Sequence, residues 1–199
     1  MNTYRLGDVC SRLSSGRGIS ASEVSEKGQY PVVGGNGVRG YADTFNFAGD
    51  CAVIGRQGAA CGNVRFYSGK AYMTEHAVVA CTTTDHNTRY LAYLLSTMGL
   101  GRLSAQSAQP GLSVKTLAKQ LVSMPDLETQ NRTVELLGRL DDKIALNRHI
   151  NDYLLSCASS GYCGWQPFVS GPDSSGLHPR IPQSKGRLLL SCSQIPEAA

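Results

Sequence analysis

The 199-residue chain contains no run of about 18 uninterrupted apolar residues, the length that a membrane-crossing helix requires. Met1 to Gly18 holds no apolar stretch that could act as a secretory leader. These two absences lead to the expectation of a cytoplasmic protein with no membrane partner. Seven cysteines are present, Cys10, Cys51, Cys61, Cys81, Cys157, Cys163 and Cys192, but no pair has zinc-finger spacing and no histidine pair lies nearby. Reduced, mostly buried thiols and no metal site are expected. Catalytic signatures are missing as well. There is no nucleophile elbow, no HExxH and no P-loop. The segment GGNGVRG, Gly34 to Gly40, is not GxGxxG, and no strand–helix dinucleotide unit follows it. A glycine-rich methyl-donor site and an Asn-Pro-Pro-Tyr-like tetrad are also lacking. His76 follows Glu75, and serines and cysteines are plentiful, so a nucleophile–His–acid set can be drawn on paper, but no catalytic motif supports it. A chain that is not itself an enzyme, and that binds no cofactor of its own, is the resulting expectation.

Proline is absent from Leu127 to Leu154, and Gly138 is the only glycine there. Asp126 is a plausible N-cap, and Glu128 falls in the first turn, where the helix dipole favours a carboxylate. Apolar residues recur at Leu127, Val134, Leu137, Leu140, Ile144, Ile150 and Leu154. This spacing predicts one sticky face on a helix of roughly 30 residues, about 45 Å long. A helix of that length is a spacer or coiled-coil strut rather than an ordinary element of a small domain. Asn147 and Asn151 lie close to the apolar stripe. They either fix register and partner choice in a coiled coil or are simply exposed near a frayed end.

Before this helix, residues 1–125 read as an α+β domain with a small, twisted, multi-stranded sheet. Tyr30 to Val33, Cys51 to Ile54, Asn63 to Tyr67, Ala77 to Thr82 and Gln120 to Met124 have strand composition, and Thr88 to Thr97 reads as a helix. The 41% hydrophobic content suits a folded core and argues against disorder. Charge divides unevenly: 12 Lys/Arg against 7 Asp/Glu in residues 1–125, but 4 against 6 in residues 126–156. The basic excess therefore lies on the globular part, as a domain contacting phosphates would have it. Residues 157–199 lose all periodicity and hold most of the prolines and the single tryptophan, Trp165. An irregular tail is expected there, either a disordered extension or a segment out of register with the ancestral reading frame.

The glycine-rich loops carry the candidate binding residues. Gly34, Gly35, Gly37 and Gly40 surround Asn36 and Arg39, and Gly55 and Gly58 flank Arg56 and Gln57. Arginine pairs bidentately with guanine, and Asn or Gln with adenine. Arg17, Lys70, Lys115 and Lys119 fit phosphate contacts, which position a protein without reading sequence, and Arg65 is a further DNA-binding candidate. Each arginine is equally explained as a solvated surface charge and Asn36 as a turn residue with positive φ, whereas His76 reads first as a structural residue.

Several segments occur in a telling order. They are YRLGDVCSRLSSG (Tyr4 to Gly16), YPVVGGNGVRGY (Tyr30 to Tyr41), VIGRQGAACGNVRFYSG (Val53 to Gly69), TEHAVVA (Thr74 to Ala80), GLS (Gly111 to Ser113), then Pro125 and LETQNR (Leu127 to Arg132). From Tyr4 to about Leu155 the chain resembles the specificity subunits of type I restriction–modification systems, in a half-length form with one target-recognition domain and one long helical region. The resemblance implies a non-catalytic, sequence-specific subunit that reads one half of a bipartite double-stranded DNA target. It implies modification subunits using S-adenosylmethionine and restriction subunits using ATP and Mg, with those cofactors held by the partners. It also implies pairing of the long helix with a second copy or a second specificity half. His76 is placed by the resemblance beside the DNA-facing loops. The other reading of the same residues is an interaction module whose helix docks to a partner without DNA contact.

Overall fold

A computed structural model of the chain describes residues 1–104 and 111–159, with side chains through 156. The irregular tail expected after residue 156 lies almost wholly outside the described residues. Met1–Tyr153 forms one compact unit.

The chain begins with β1 (Asn2–Arg5), which pairs antiparallel with β8 (Leu121–Met124), from Asn2 opposite Met124 to Arg5 opposite Leu121. The start of the domain is thus stitched to the residues that precede the long helix. Between them lie α1 (Leu6–Val9), β2 (Cys10–Ser15), β3 (Tyr30–Gly34), β4 (Gly37–Ala42), β5 (Phe47–Gly55), β6 (Val64–Met73), β7 (Ala77–Thr82), α2 (Thr88–Thr97) and α3 (Val114–Ala118). Strands β2 to β7 form a six-stranded sheet in the order β2-β7-β5-β6-β3-β4. Its pairings are antiparallel except β3 with β6, which run parallel.

Alternation along the central strands divides the core in two. Ala52, Ile54, Val78 and Ala80 face α2, where they meet Leu91, Leu95 and the buried Leu6, Leu117 and Met124. Cys51, Val53 and Val79 point the other way, to Val33, Phe47, Ala71 and Met73. Central strands buried on both faces read as the near-continuous apolar runs CAVI and AVVAC.

The second cluster exists because the sheet curls. The Asn46 carboxamide exchanges two hydrogen bonds with the Met73 backbone, at 2.7 and 2.9 Å, just before β5 begins. Ala77, four residues after Met73, pairs with Gly55 at the end of β5. A flat strand would separate Asn46 from Gly55 by about 30 Å, whereas four residues span at most about 14 Å. Only a bent β5–β6 hairpin satisfies both. Gly49 and Gly69 face each other across it, with φ of 119° and 116°, a region disfavoured for other residues. The curl returns the end of β6 to the end of β5, and the candidate site lies there.

α2 starts at Asn87, whose side chain accepts hydrogen bonds from the Arg89 and Tyr90 backbone N–H groups. The long helix α4 (Leu127–Ser159) starts at Asp126, whose carboxylate accepts from the Thr129 N–H at 2.9 Å. That hydrogen bond, with one from the Thr129 hydroxyl, holds the Asp126 pKa below its ordinary value.

The foot of α4 is built into the domain. Gln130 is 0% exposed. Its carbonyl accepts from the Asn87 N–H at 2.9 Å, and its amide donates to the Pro125 carbonyl at 2.8 Å and meets His86 Nδ1 at 3.2 Å. Val134, on the expected partner-facing stripe, packs instead against the domain's own core. Two turns on from Gln130, Gly138 explains the helix's only glycine. A Cβ there would lie 3.1 Å from Arg89 Nη1. Arg89 lies over the rings of Phe66 and Tyr93, bonds the Tyr93 hydroxyl at 3.1 Å and pairs with Asp141 at 3.3 Å, and Tyr93 also donates to Asp141. Burial lowers the Arg89 pKa, but Tyr93 and Asp141 outweigh it and the net shift is upward. Sequence position 125 therefore ends the sheet but not the packing. Beyond Gly138 the helix is exposed, with Leu140 at 52% and Ile144 at 49%. Leu137, Leu140, Ile144, Asn147, Asn151 and Leu154 follow one another at alternating steps of three and four, the spacing of a coiled-coil seam.

Candidate nucleic-acid interface

The turn between β3 and β4 packs directly on the loop after β5. A Cβ on Gly35 would lie 2.9 Å from both Gly55 Cα and the His76 carbonyl oxygen, so only glycine permits this approach. Three backbone bonds fix the arrangement: Arg56 N–H to the His76 carbonyl at 2.9 Å, Gly55 N–H to Asn63 at 2.8 Å, and Leu112 N–H to the Arg56 carbonyl at 2.8 Å. The last brings the GLS segment under the loop, where Gly111 also bridges Gln57. Gly37 has φ of 109°, which closes the tight β3–β4 turn and leaves Asn36 at its tip.

The product is an open cleft of 320 Å³ on which Asn36, Arg39, Gln57 and His76 converge, over a floor that includes Gly34 and Ala60. Asn36, Arg39 and Gln57 are exposed. His76 is half-buried, and its Nε2 lies 3.2 Å from Glu75 Oε1. Thr74, directly before this pair, is fully buried, and its hydroxyl makes no hydrogen bond. A Cβ on Gly34 would stand 3.5 Å from that hydroxyl, at the edge of the cleft floor. The cleft thus offers amide donors and acceptors and an imidazole on loops, and a guanidinium from β4, all anchored in a rigid sheet.

The remaining candidates lie elsewhere. Arg56 is half-buried and its guanidinium donates to Ser15 Oγ on β2 at 3.3 Å, away from the cleft lining. Arg65 lies on β6 with its guanidinium against the β3–β4 turn: a Cβ on Gly37 would be 2.6 Å from Nη1. Lys70 covers the Phe45 ring at 5.0 Å, near the bend of the hairpin. Arg17 is exposed beside the end of β6, where its N–H donates to the Met73 carbonyl at 2.9 Å. Lys115 is exposed on α3, and Lys119 just after it. Glu75, which orients His76, had no signal in the sequence beyond adjacency. Cys10 and Cys51 are free thiols whose pKa burial pushes up to about 12, and Cys61 and Cys81 are also free with raised pKa values, so all four stay protonated near neutrality. Among the described residues no group of three or more His, Cys, Asp or Glu is placed to hold a metal. No helix among them is long and apolar enough to cross a membrane.

Residues 1–156 match the family model of the type I restriction modification DNA specificity domain. The chain belongs to this family. It is 35% identical over 157 residues to the specificity subunit of the type I restriction enzyme EcoprrI from Escherichia coli, a match that covers 77% of this chain and 39% of that protein. A putative type I specificity subunit from Mycoplasma pneumoniae is 28% identical over 148 residues, covering 71% of this chain and 40% of its own length. The fold is shared with the S subunit of a type I restriction–modification system from M. genitalium, with a TM-score of 0.66, 15% identity and coverage of 76% of this chain and 44% of that one. The HsdS subunit from Thermoanaerobacter tengcongensis gives a TM-score of 0.55 at 16% identity, covering 75% and 39%. The chain thus spans about two fifths of the length of the curated relatives it matches. The mixed sheet followed by a long helix is the architecture expected from the sequence for a specificity-subunit domain.

Proposed function

We propose that this chain reads one half of a bipartite double-stranded DNA target and addresses the enzymes of a type I restriction–modification complex to it. The observation that supports this most is the convergence of Asn36, Arg39, Gln57 and His76 on one open cleft in a chain of the specificity family. Asn and Gln match the major-groove edge of adenine and Arg that of guanine, and the glycine floor lets a groove edge approach the backbone closely. Arg17, Arg65, Lys70, Lys115 and Lys119 supply a basic surround for phosphates. Arg56 acts through Ser15 as a brace for the loop rather than as a base reader. The exposed seam of α4 pairs with the helix of a second copy or of a second specificity half, and the paired helices set the distance between half-sites. Modification and restriction subunits supply S-adenosylmethionine, ATP and Mg; this chain supplies none of the chemistry. The protein works in the cytoplasm, where its DNA substrate is.

The test is equilibrium binding of a mixed-sequence duplex by the chain co-purified with its modification subunit. Affinity should fall about ten- to a thousand-fold between about 50 and 200 mM salt. Binding that ignores salt, or no binding at the lower salt, would overturn the DNA reading and leave the helix-docking module.

A further inference from the structure

A second cleft, of 510 Å³, lies where β6 and α2 face the long helix, and its charged lining is Arg65, Arg89, Asp141 and Arg148. Arg89 and Asp141 neutralise each other across it at 3.3 Å. Arg65 and Arg148 remain, and neither makes a side-chain hydrogen bond or an ion pair among the described residues, whereas Arg132 and Arg139 on α4 pair with Glu128 and Glu135. Arg148 stands two helical turns beyond Asp141 on the same side of α4. Arg65 touches the Gly37 turn that presents Asn36 to the first cleft. The two clefts therefore meet at the same turn, one through Asn36 and the other through Arg65.

We propose that this second cleft holds the phosphodiester backbone of the same duplex, with Arg65 and Arg148 as its contacts. The long helix is then a DNA-contacting element as well as a spacer. The inference rests on the reading that the glycine-loop cleft engages duplex DNA. Arginine forks match phosphate oxygens bidentately, and two unpaired like charges lining one cleft repel each other until an anion enters between them. Such contacts fix how the duplex lies along the helix but read no bases. Sequence alone did not single out Arg148, because its proximity to β6 depends on the Arg89–Gly138 packing that sets the direction of α4.

The chain in complex with its modification subunit, titrated with a mixed-sequence duplex at several salt concentrations, tests the proposal. Each lost phosphate contact should lower the slope of log affinity against log salt by about 0.9. Arg148→Gln and Arg65→Gln should each show this, so that a fourfold rise in salt weakens the variant about three- to fourfold less than wild type. Arg139→Gln is the control: it removes the same charge nine residues away, on the opposite face of the helix, and should leave the slope unchanged. The methylated motif should stay the same in all three. A wild-type slope in Arg148→Gln would overturn the proposal while leaving the first cleft untouched. Loss of the modification subunit from Arg148→Gln without DNA, seen by mass, would assign the cleft to a protein surface instead and equally overturn it. If wild type itself bound no duplex, the underlying DNA reading would fail, a result distinct from either.

Discussion

Gln130 should be the costliest polar residue to remove from this chain. Its side chain is fully buried, and its amide joins the starts of two helices. Asn87 is the N-cap of α2, so its backbone N–H has no partner within that helix and depends on the Gln130 carbonyl. The Pro125 carbonyl likewise depends on the Gln130 amide. Gln130→Ala deprives both groups of their partner, at about 1–3 kcal/mol for each one left buried. Both are partly buried, so water recovers some of this and the lower end applies. Adding the space left by the lost side chain gives a destabilisation of about 2–4 kcal/mol. Gln130→Met refills the space but makes no hydrogen bond, so it should cost about 1–3 kcal/mol. Against a domain stability of about 5–15 kcal/mol, both changes are large. Urea unfolding followed by circular dichroism, at one fixed protein concentration so that helix association does not enter, measures them. If both variants unfolded within about 0.5 kcal/mol of wild type, well below the cost of even one unmade buried bond, the foot of α4 would not belong to the domain fold.

Gly138→Leu should force the Arg89 guanidinium off the helix and break its pair with Asp141. Because that pair is partly exposed, a loss of about 0.5–2 kcal/mol is expected in the same unfolding assay, more than a surface Gly→Leu in a helix, which is normally stabilising. Leu140→Asp with Ile144→Asp should abolish pairing through α4 while leaving the circular dichroism of the folded domain unchanged, since neither residue supports the core; mass in solution checks this, and an unaltered association state would show that the seam is idle. The Asp126 cap gives a pH signature. Its folded pKa is depressed, so its contribution is complete above the unfolded value and disappears as pH falls through the folded one. Asp126→Asn should therefore flatten the acid limb of a stability–pH curve, and an identical limb in both proteins would refute the cap.

The elements with strong local signals were legible in the sequence. Thr88 to Thr97 is the observed α2, and the strands at Cys51 to Ile54 and Ala77 to Thr82 sit inside the observed β5 and β7, because apolar β-branched runs and helical spacing encode burial directly. β2, with the sequence CSRLSS, and β4, with GVRGYA, carry no such signal; their strand state comes from pairing with β7 and β3. The segments bearing Asn36, Arg39 and Gln57 could be named from their glycines, whereas His76, with no glycine beside it, is named from the family resemblance. That these segments meet depends on the curl at Gly49 and Gly69. Arg56 was indistinguishable from Arg39 in sequence, since both flank glycines. Only the tertiary placement of Ser15 turns one aside. Val134 illustrates the same limit on the helix: periodicity marks an apolar face but not which neighbour covers it.

Methylation-site sequencing of cells expressing the chain with its modification subunit tests the central claim most directly. Wild type, Asn36→Ala, Gln57→Ala and Arg56→Ala would be compared. Loss of a bidentate contact costs about 1–3 kcal/mol at one base position, so Asn36→Ala and Gln57→Ala should each relax the motif at a single position while the rest of it persists. Arg56→Ala should keep the wild-type motif at reduced yield. A motif unchanged in the Asn36 and Gln57 variants would contradict base reading by this cleft.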